Sequence, residues 1–251
     1  MSALTKHETS YQLKSVDGVT FELDLREAID KEIFDNNYFE GETAVAISRL
    51  CRPGYVVFDI GANIGAHTFH LAKYAGATGS VIAFEPTSYA YTRLYRNMLL
   101  NPFSNIRLEK MALSDVSGTQ ELHFMASWPV DGKYPTPEYE TMYLMTMDEY
   151  VRRFQIPRVD LIKLDVDGYE FKILKGGKDT IQAYKPSIIL GLADYVLARH
   201  GNSVMELLQL LALWGYRFHS EKTYEELRDL SAIVASIPSG CSINVIALRP
   251  F

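Results

Sequence analysis

Two acids and a glycine turn in this chain have the spacing by which an α/β sheet holds a nucleoside. Asp59-Ile-Gly-Ala-Asn-Ile-Gly65 closes an apolar run that begins at Tyr55, and the next apolar run, Val81–Phe84, ends in Glu85. A glycine turn after a strand lets a ligand approach the backbone, and an acid ending the neighbouring strand accepts the two ribose hydroxyls. The dinucleotide fingerprint G-x-G-x-x-G needs its middle glycine to admit a pyrophosphate. Here that place holds Asn63, and Asp59 precedes the turn. An acid at this point repels a pyrophosphate and suits a cation. The electrostatics therefore favour S-adenosylmethionine, which carries a sulfonium, an amino group and a ribose, over NAD.

On that reading the cofactor-binding set is Asp59, Gly61, Ala62, Asn63, Gly65, Thr68, Glu85 and Pro86. Gly61 and Gly65 would let the methionine portion lie against the backbone. A helix expected from about Ile64 would offer free N–H groups to its carboxylate, with Thr68 one turn further on. Asn63 either donates to that carboxylate or caps the helix.

A sulfonium methyl is already activated, so an enzyme using it mainly positions the acceptor for in-line attack. An alcohol acceptor has a pKa near that of water, about 15.7, against about 4 for a carboxylate. Prior deprotonation by an acid side chain is thus excluded, and a concerted base or a metal is needed. Lys163-Leu-Asp-Val-Asp-Gly-Tyr-Glu170 offers the groups. Lys163, Asp165 and Asp167 alternate along a strand and start on one face. Asp165 is the expected hydroxyl acceptor or base, Asp167 the second candidate, and Lys163 the group that holds an acid in place. Glu170 is expected to cap the next helix. Asp165 and Asp194, ending successive strands, are compatible with Mg²⁺, but a metal is not the favoured reading. His67 and His70 read as helix-surface residues, and His123 is a weaker base candidate. No Cys/His spacing suggests zinc, and no nucleophile triad is visible.

The elements that must position these groups follow from periodicity. Tyr11–Leu25 alternates around Asp17-Gly18, a hairpin signal, and residues 26–50 read as helical with a break at Asp35–Tyr38. Strands at 55–60, 80–85, 105–110, 159–165 and 187–192 alternate with helices, which demands a mostly parallel, doubly wound sheet covered on both faces. Residues 119–125 and 141–146 read as strands around a Pro-rich insertion, whose loop 126–140 is a candidate substrate lid. Val204, Leu207, Leu208, Leu211 and Trp214 have helical spacing and read as core. Strands at 215–219 and 242–248 close the fold.

At 251 residues, 47% hydrophobic and 22% charged, the chain suits one globular α/β unit. We divide it into a cap segment, 1–50, and a cofactor-binding domain, 51–251. A net charge of −6 without a Lys/Arg cluster excludes nucleic acid as a bulk partner; Arg152-Arg153 reads as a solvated pair on a helix. No apolar stretch approaches the ~20 residues of a membrane span, and no signal peptide is evident. Cys51 and Cys241 read as two buried thiols in a reducing cytoplasm, so the expected location is cytoplasmic. Homo-oligomerisation is left open.

Asp59–Gly65, Val81–Pro86, Ala112–Asp115, Met147–Tyr150 and Asp160–Glu170, in that order, resemble the FkbM family of S-adenosylmethionine-dependent methyltransferases. The resemblance spans about residues 39 to 190. It implies the class I, Rossmann-like fold with seven strands, the last antiparallel. It also implies methylation of a hydroxyl on a small molecule, a sugar or polyketide-type natural product. Two alternatives stay open: transfer to nitrogen of an amide or peptide, and a catalytically degenerate cofactor-binding module. The resemblance places Met111, Ala112 and Leu113 against adenine, Ser114 and Asp115 at its amino group, and Glu40 near the cofactor amino group. The chain departs from the family pattern at Phe39, where Tyr is usual, and at Asp167 and Gly191, where Glu is frequent.

Overall fold

The computed structural model describes residues 10–123, 129–132 and 139–249. In chain order the elements are β1 (Tyr11–Val16), β2 (Val19–Asp24), α1 (Ala28–Asn36), α2 (Gly41–Leu50), β3 (Val56–Ile60), α3 (Thr68–Ala75), β4 (Ser80–Phe84), α4 (Ser88–Leu99), β5 (Ile106–Glu109) and β6 (Ala112–Ser114). There follow β7 (Gly118–His123), β8 (Tyr139–Thr146), α5 (Met147–Arg153), β9 (Leu161–Leu164), α6 (Glu170–Gly176), α7 (Lys178–Tyr184), β10 (Ser187–Leu192) and α8 (Asp194–Leu197). A 3₁₀ turn (Ala198–His200), α9 (Val204–Leu213), β11 (Arg217–Ser220), β12 (Glu226–Leu227), α10 (Leu230–Ser236) and β13 (Ile243–Leu248) complete the chain.

The main sheet has the order β12-β11-β13-β10-β9-β3-β4-β5. Pairing is parallel from β10 through β9, β3 and β4 to β5, and antiparallel at β13, β11 and β12. The sheet is therefore eight-stranded where seven were expected. The extra strand is the two-residue β12, which pairs on the edge of β11; two residues carry no periodicity to read. β6, β8 and β7 form a separate three-stranded sheet, a second departure from the expected irregular insertion. The lid expectation for 126–140 falls mostly outside the described residues, as does the side chain of His123.

Every residue of β3 and β9 is buried, the mark of central parallel strands covered on both faces. On one face Phe58, Phe84, Ile162 and Leu190 pack with Tyr150 of α5 and with Leu207, Leu208 and Leu211 of α9, as the helical spacing predicts. On the other, Val57, Leu161, Ile189 and Ile246 pack on Ala46 and Ile47 of α2 and on Leu71 and Ala72 of α3.

The chain runs outward from β3 to β4 and β5, then returns to continue outward through β9 and β10. The order thus reverses between β3 and β9, and a crevice opens beyond their carboxyl ends. The β1–β2 hairpin covers the loop above this point: Val19, Phe21 and Leu23 pack with Ala62, Ile64 and Phe69. Asn97, fully buried on α4, fastens the two together. Its Oδ1 accepts the Glu22 N–H at 2.7 Å and its Nδ2 donates to the Ile64 carbonyl at 3.0 Å. The buried Asp30–Arg93 ion pair adds a second tie between α1 and α4.

Asn97→Ala removes both bonds of that fastening, and a buried polar group left unpaired costs about 1–3 kcal/mol. Urea unfolding should show a loss on this scale, with an unchanged m-value. A loss below about 0.5 kcal/mol would mean that Asn97 does not hold the hairpin to the loop.

Candidate functional site

A cavity of about 70 Å³, open at its mouth, lies at the β3/β9 crevice. One side is the loop after β3, with Gly61 and Asn63; a second is Glu85, Pro86 and Thr87 after β4. Met111, Ala112 and Leu113 form a third, and Asp165–Asp167 with Tyr169 close the fourth. The acids after β4 and β9 meet at one cavity because these strands flank β3 in register.

Gly61 has φ +85°, and a Cβ there would stand 1.9 Å from the Asp165 carbonyl oxygen. No side chain fits, because the loop after β3 crosses the chain leaving β9 at contact distance. Gly65 differs from expectation. A Cβ at this residue would meet the Phe69 ring at 2.3 Å, so its missing side chain makes room for core packing, and it is absent from the cavity wall. The helix also starts later than expected, at Thr68. Asn63 takes φ +47° and Gly65 φ +93°, and neither is compatible with a right-handed helix from Ile64.

Glu85 is 5% exposed. Its Oε1 accepts from the Thr87 N–H at 2.9 Å and the Thr87 hydroxyl at 2.6 Å, and its Oε2 accepts from the Asn63 N–H at 3.0 Å. A carboxylate offers about four lone-pair positions; the one left lies on Oε2. Burial raises the Glu85 carboxyl above its ordinary range, against the lowering pull of the Thr87 bonds. Thr87, two residues after Glu85, is a site residue that the sequence reading does not single out, although its place just past the acid is a readable signal.

Asp59 is fully buried beneath the loop, outside the cavity wall. The Thr68 hydroxyl donates to its Oδ2 at 2.6 Å, while Oδ1 has no hydrogen-bond partner. A buried carboxylate oxygen without a donor is costly, so Asp59 has capacity to accept one more. Nearby, His67 Nε2 lies 3.3 Å from Glu40 Oε2, and Glu40 has φ +48° ahead of α2. Burial works to raise the Glu40 carboxyl, but the His67 bond and the Lys163 ammonium outweigh it and hold it at about 2. His67 and His70 are each 4% exposed, which corrects their reading as surface histidines. Phe39 packs on His67 and Tyr38 on His70, contacts from a distant segment that no local pattern reveals.

Lys163 is buried, and its Nζ lies 3.4 Å from Asp165 Oδ2. Burial disfavours the Lys163 charge, but Asp165, Asp59 and Glu40 together raise its pKa, so it stays an ammonium. Asp165 follows the end of β9, with its N–H still bonded to the Ile60 carbonyl at 3.2 Å. Its other flank is Gly191, where a Cβ would stand 2.8 Å from Asp165 Oδ1. Asp167 lies past the strand in a turn with φ +54°, so the strand alternation no longer applies to it. It is open to solvent at the mouth yet crowded by protein. Desolvation first, then the like charge of Asp165, raise its carboxyl to about 7.

Glu170 accepts from the Val166 N–H at 2.9 Å and the Gly168 N–H at 3.0 Å, tying down this turn at the start of α6. Ser114 and Asp115 bond to each other at 3.3 Å, away from the cavity wall. Asp194 Oδ1 accepts the Val204 N–H at 3.0 Å. Among the described residues no group of three His, Cys, Asp or Glu side chains is placed to hold a metal, and no helix is long and apolar enough to cross a membrane. Cys51 is buried, with its thiol raised to about 11 by burial, whereas Cys241 is exposed; one buried thiol replaces the two expected.

The reversal of strand order, the antiparallel β13 and the cavity with its acid after β4 define the class I, Rossmann-like methyltransferase fold. The chain belongs to the FkbM methyltransferase domain family, whose model matches residues 59–218. It is 32% identical over 132 residues to the hexuronic acid methyltransferase AglP of Haloferax volcanii, covering 51% of this chain and 52% of AglP. It is 27% identical over 154 residues to the 2-O-methyltransferase NoeI of Sinorhizobium fredii, covering 54% and 62%. The aligned stretches thus span about half to three fifths of these relatives. Among solved structures, Trm5b from Pyrococcus abyssi superposes with a TM-score of 0.51 at 14% identity, over 96% of this chain and 56% of Trm5b, a likeness of fold.

Glu170 gives the site a pH signature. Burial raises its carboxyl from 4.5 to about 7. Between those values the folded chain holds a proton that the unfolded chain has lost, so stability falls as pH rises through this window. Glu170→Gln should reduce that slope, to which Asp167 also contributes, read by chemical denaturation at several pH values. An unchanged slope would show that Glu170 ionises normally.

Proposed function

We propose that this protein transfers a methyl group from S-adenosylmethionine to a hydroxyl of a small molecule, with a sugar as the favoured acceptor. The observation that supports the cofactor most directly is Glu85, buried on the cavity wall with one lone-pair position unused. A ribose hydroxyl meets that position. The second expected ribose bond requires Thr87 or Asn63 to yield an acceptor site. Gly61 supplies bare backbone beside it, and Met111, Ala112 and Leu113 supply apolar surface for a base. Asp59, beneath the loop with one oxygen unpartnered, and Glu40 add negative charge behind the cavity wall. This donor set fits a cationic nucleoside and disfavours a pyrophosphate. The cofactor supplies an electrophilic methyl on a sulfonium.

The chain's own residues do the rest. Lys163 holds Asp165 from one side, and Gly191 leaves the other side clear. Asp165 then accepts a hydrogen bond from the acceptor hydroxyl and takes its proton as the new O–C bond forms, which avoids a free alkoxide. Asp194 is engaged in capping α9, so the base reading of Asp165 is preferred to a shared Mg²⁺. Asp167 is the second base candidate, suited by its raised pKa. AglP and NoeI, by their names a hexuronic acid methyltransferase and a 2-O-methyltransferase, support oxygen over nitrogen and a sugar as acceptor. In this reading residues 1–50 cap a catalytic domain of 51–251, and the enzyme works on small molecules in the cytoplasm.

Glu85→Ala should weaken S-adenosylmethionine binding by about 1.5–3 kcal/mol, the scale of bonds to a charged group; calorimetric titration giving wild-type affinity would remove Glu85 from the site. Asp165→Asn should lower kcat by about 10²–10⁴, the usual contribution of a general base, while cofactor affinity stays within a few-fold. Near-normal turnover of a hydroxyl acceptor by this variant would transfer the role to Asp167.

A further inference from the structure

The cofactor reading leaves one flank of the cavity mouth unexplained. Tyr169 lines the cavity, and the His200 ring packs on it with centroids 4.2 Å apart. The Lys172 ammonium lies 5.1 Å from the Tyr169 ring centroid. On α8, directly after β10, Tyr195 is 44% exposed with the Arg199 guanidinium 5.7 Å from its ring centroid. Arg199 and Lys172 both act electrostatically on His200, Arg199 also acts on Asp167, and Tyr195 is within reach of both Asp165 and Asp167. The patch therefore adjoins the proposed base.

Its chemistry is unusual for this chain. The net charge is −6, yet Lys172 and Arg199 gather here, and neither joins an ion pair among the described residues. Cations held in no ion pair beside a cavity attract an anion and focus it there. Arginine in particular matches carboxylate and phosphate with its planar fork. Aromatic rings beside them offer flat apolar surface of the sort that covers the C–H face of a sugar. The turn is also held close: at Gly168 a Cβ would stand 2.6 Å from the Val196 carbonyl, so α8 and the Asp165–Tyr169 segment form one wall.

We infer that Lys172, Arg199, Tyr169 and Tyr195 form the acceptor subsite and select an anionic carbohydrate, one with a carboxylate or phosphate near the hydroxyl to be methylated. The inference rests on the O-methyltransferase reading for turnover, but not for binding. Asp165 faces the hydroxyl while the cations hold the anion, which fixes the register of the sugar.

The test uses three probes: methyl glucuronide, glucose 1-phosphate and the neutral methyl glucoside. Binding is measured by saturation-transfer NMR with S-adenosylhomocysteine present, and turnover by labelled methyl incorporation. Wild type should favour at least one anionic probe over the glucoside by tenfold or more, and the preferred probe tells carboxylate from phosphate. The double variant Lys172→Gln/Arg199→Gln should lose that preference while keeping its melting temperature and its S-adenosylhomocysteine affinity. Equal binding of all three probes by wild type, no binding of any, or a preference that survives in the variant would each overturn the subsite. Selective binding without methyl incorporation would uphold the subsite and count against the O-methyltransferase reading instead.

Discussion

The site depends on one close approach. The loop after β3 passes the chain leaving β9 so tightly that Gly61 has no room for a Cβ against the Asp165 carbonyl. That contact sets the position of everything around the crevice. It brings Asn63 to where its N–H reaches Glu85, and it places Asp165 at the cavity wall with Lys163 behind it. The parallel register of β4, β3 and β9 supplies the rigid base from which three loops emerge side by side. A residue larger than glycine at 61 would force the strand ends apart and dissolve the arrangement of acids, even if the sheet survived.

Charge balance is the second constraint. Lys163 is buried among Asp165, Asp59 and Glu40, and a buried ammonium persists only where carboxylates surround it. The His67 bond, and behind it the same cation, keep Glu40 ionised. Acids on β3, after β9 and before α2 are thus held together by one lysine in the central strand.

Much of this was legible in the chain. The short apolar runs at β3, β4, β9 and β10, the alternation around the Asp17-Gly18 hairpin and the 3.6-residue spacing of Val204, Leu207, Leu208 and Leu211 give element types directly. Three features escaped for physical reasons. β12 and β6 are two and three residues long, too short for a period to show. The start of α3 was displaced from Ile64 to Thr68, since the positive φ angles at Asn63 and Gly65 are adopted to meet Glu85 and Phe69, both contacts made by the fold. Burial of His67 and His70 comes from Phe39 and Tyr38, which local sequence does not place. The same holds for the basic and aromatic patch at α8, whose members come from two segments.

The central claim is that the β3/β9 crevice is built for a cationic nucleoside. Calorimetric titration of the full chain with S-adenosylmethionine and, in parallel, with NAD tests it most directly. The account predicts micromolar binding of S-adenosylmethionine and none of NAD. Binding of NAD in preference, or of neither ligand, would contradict it.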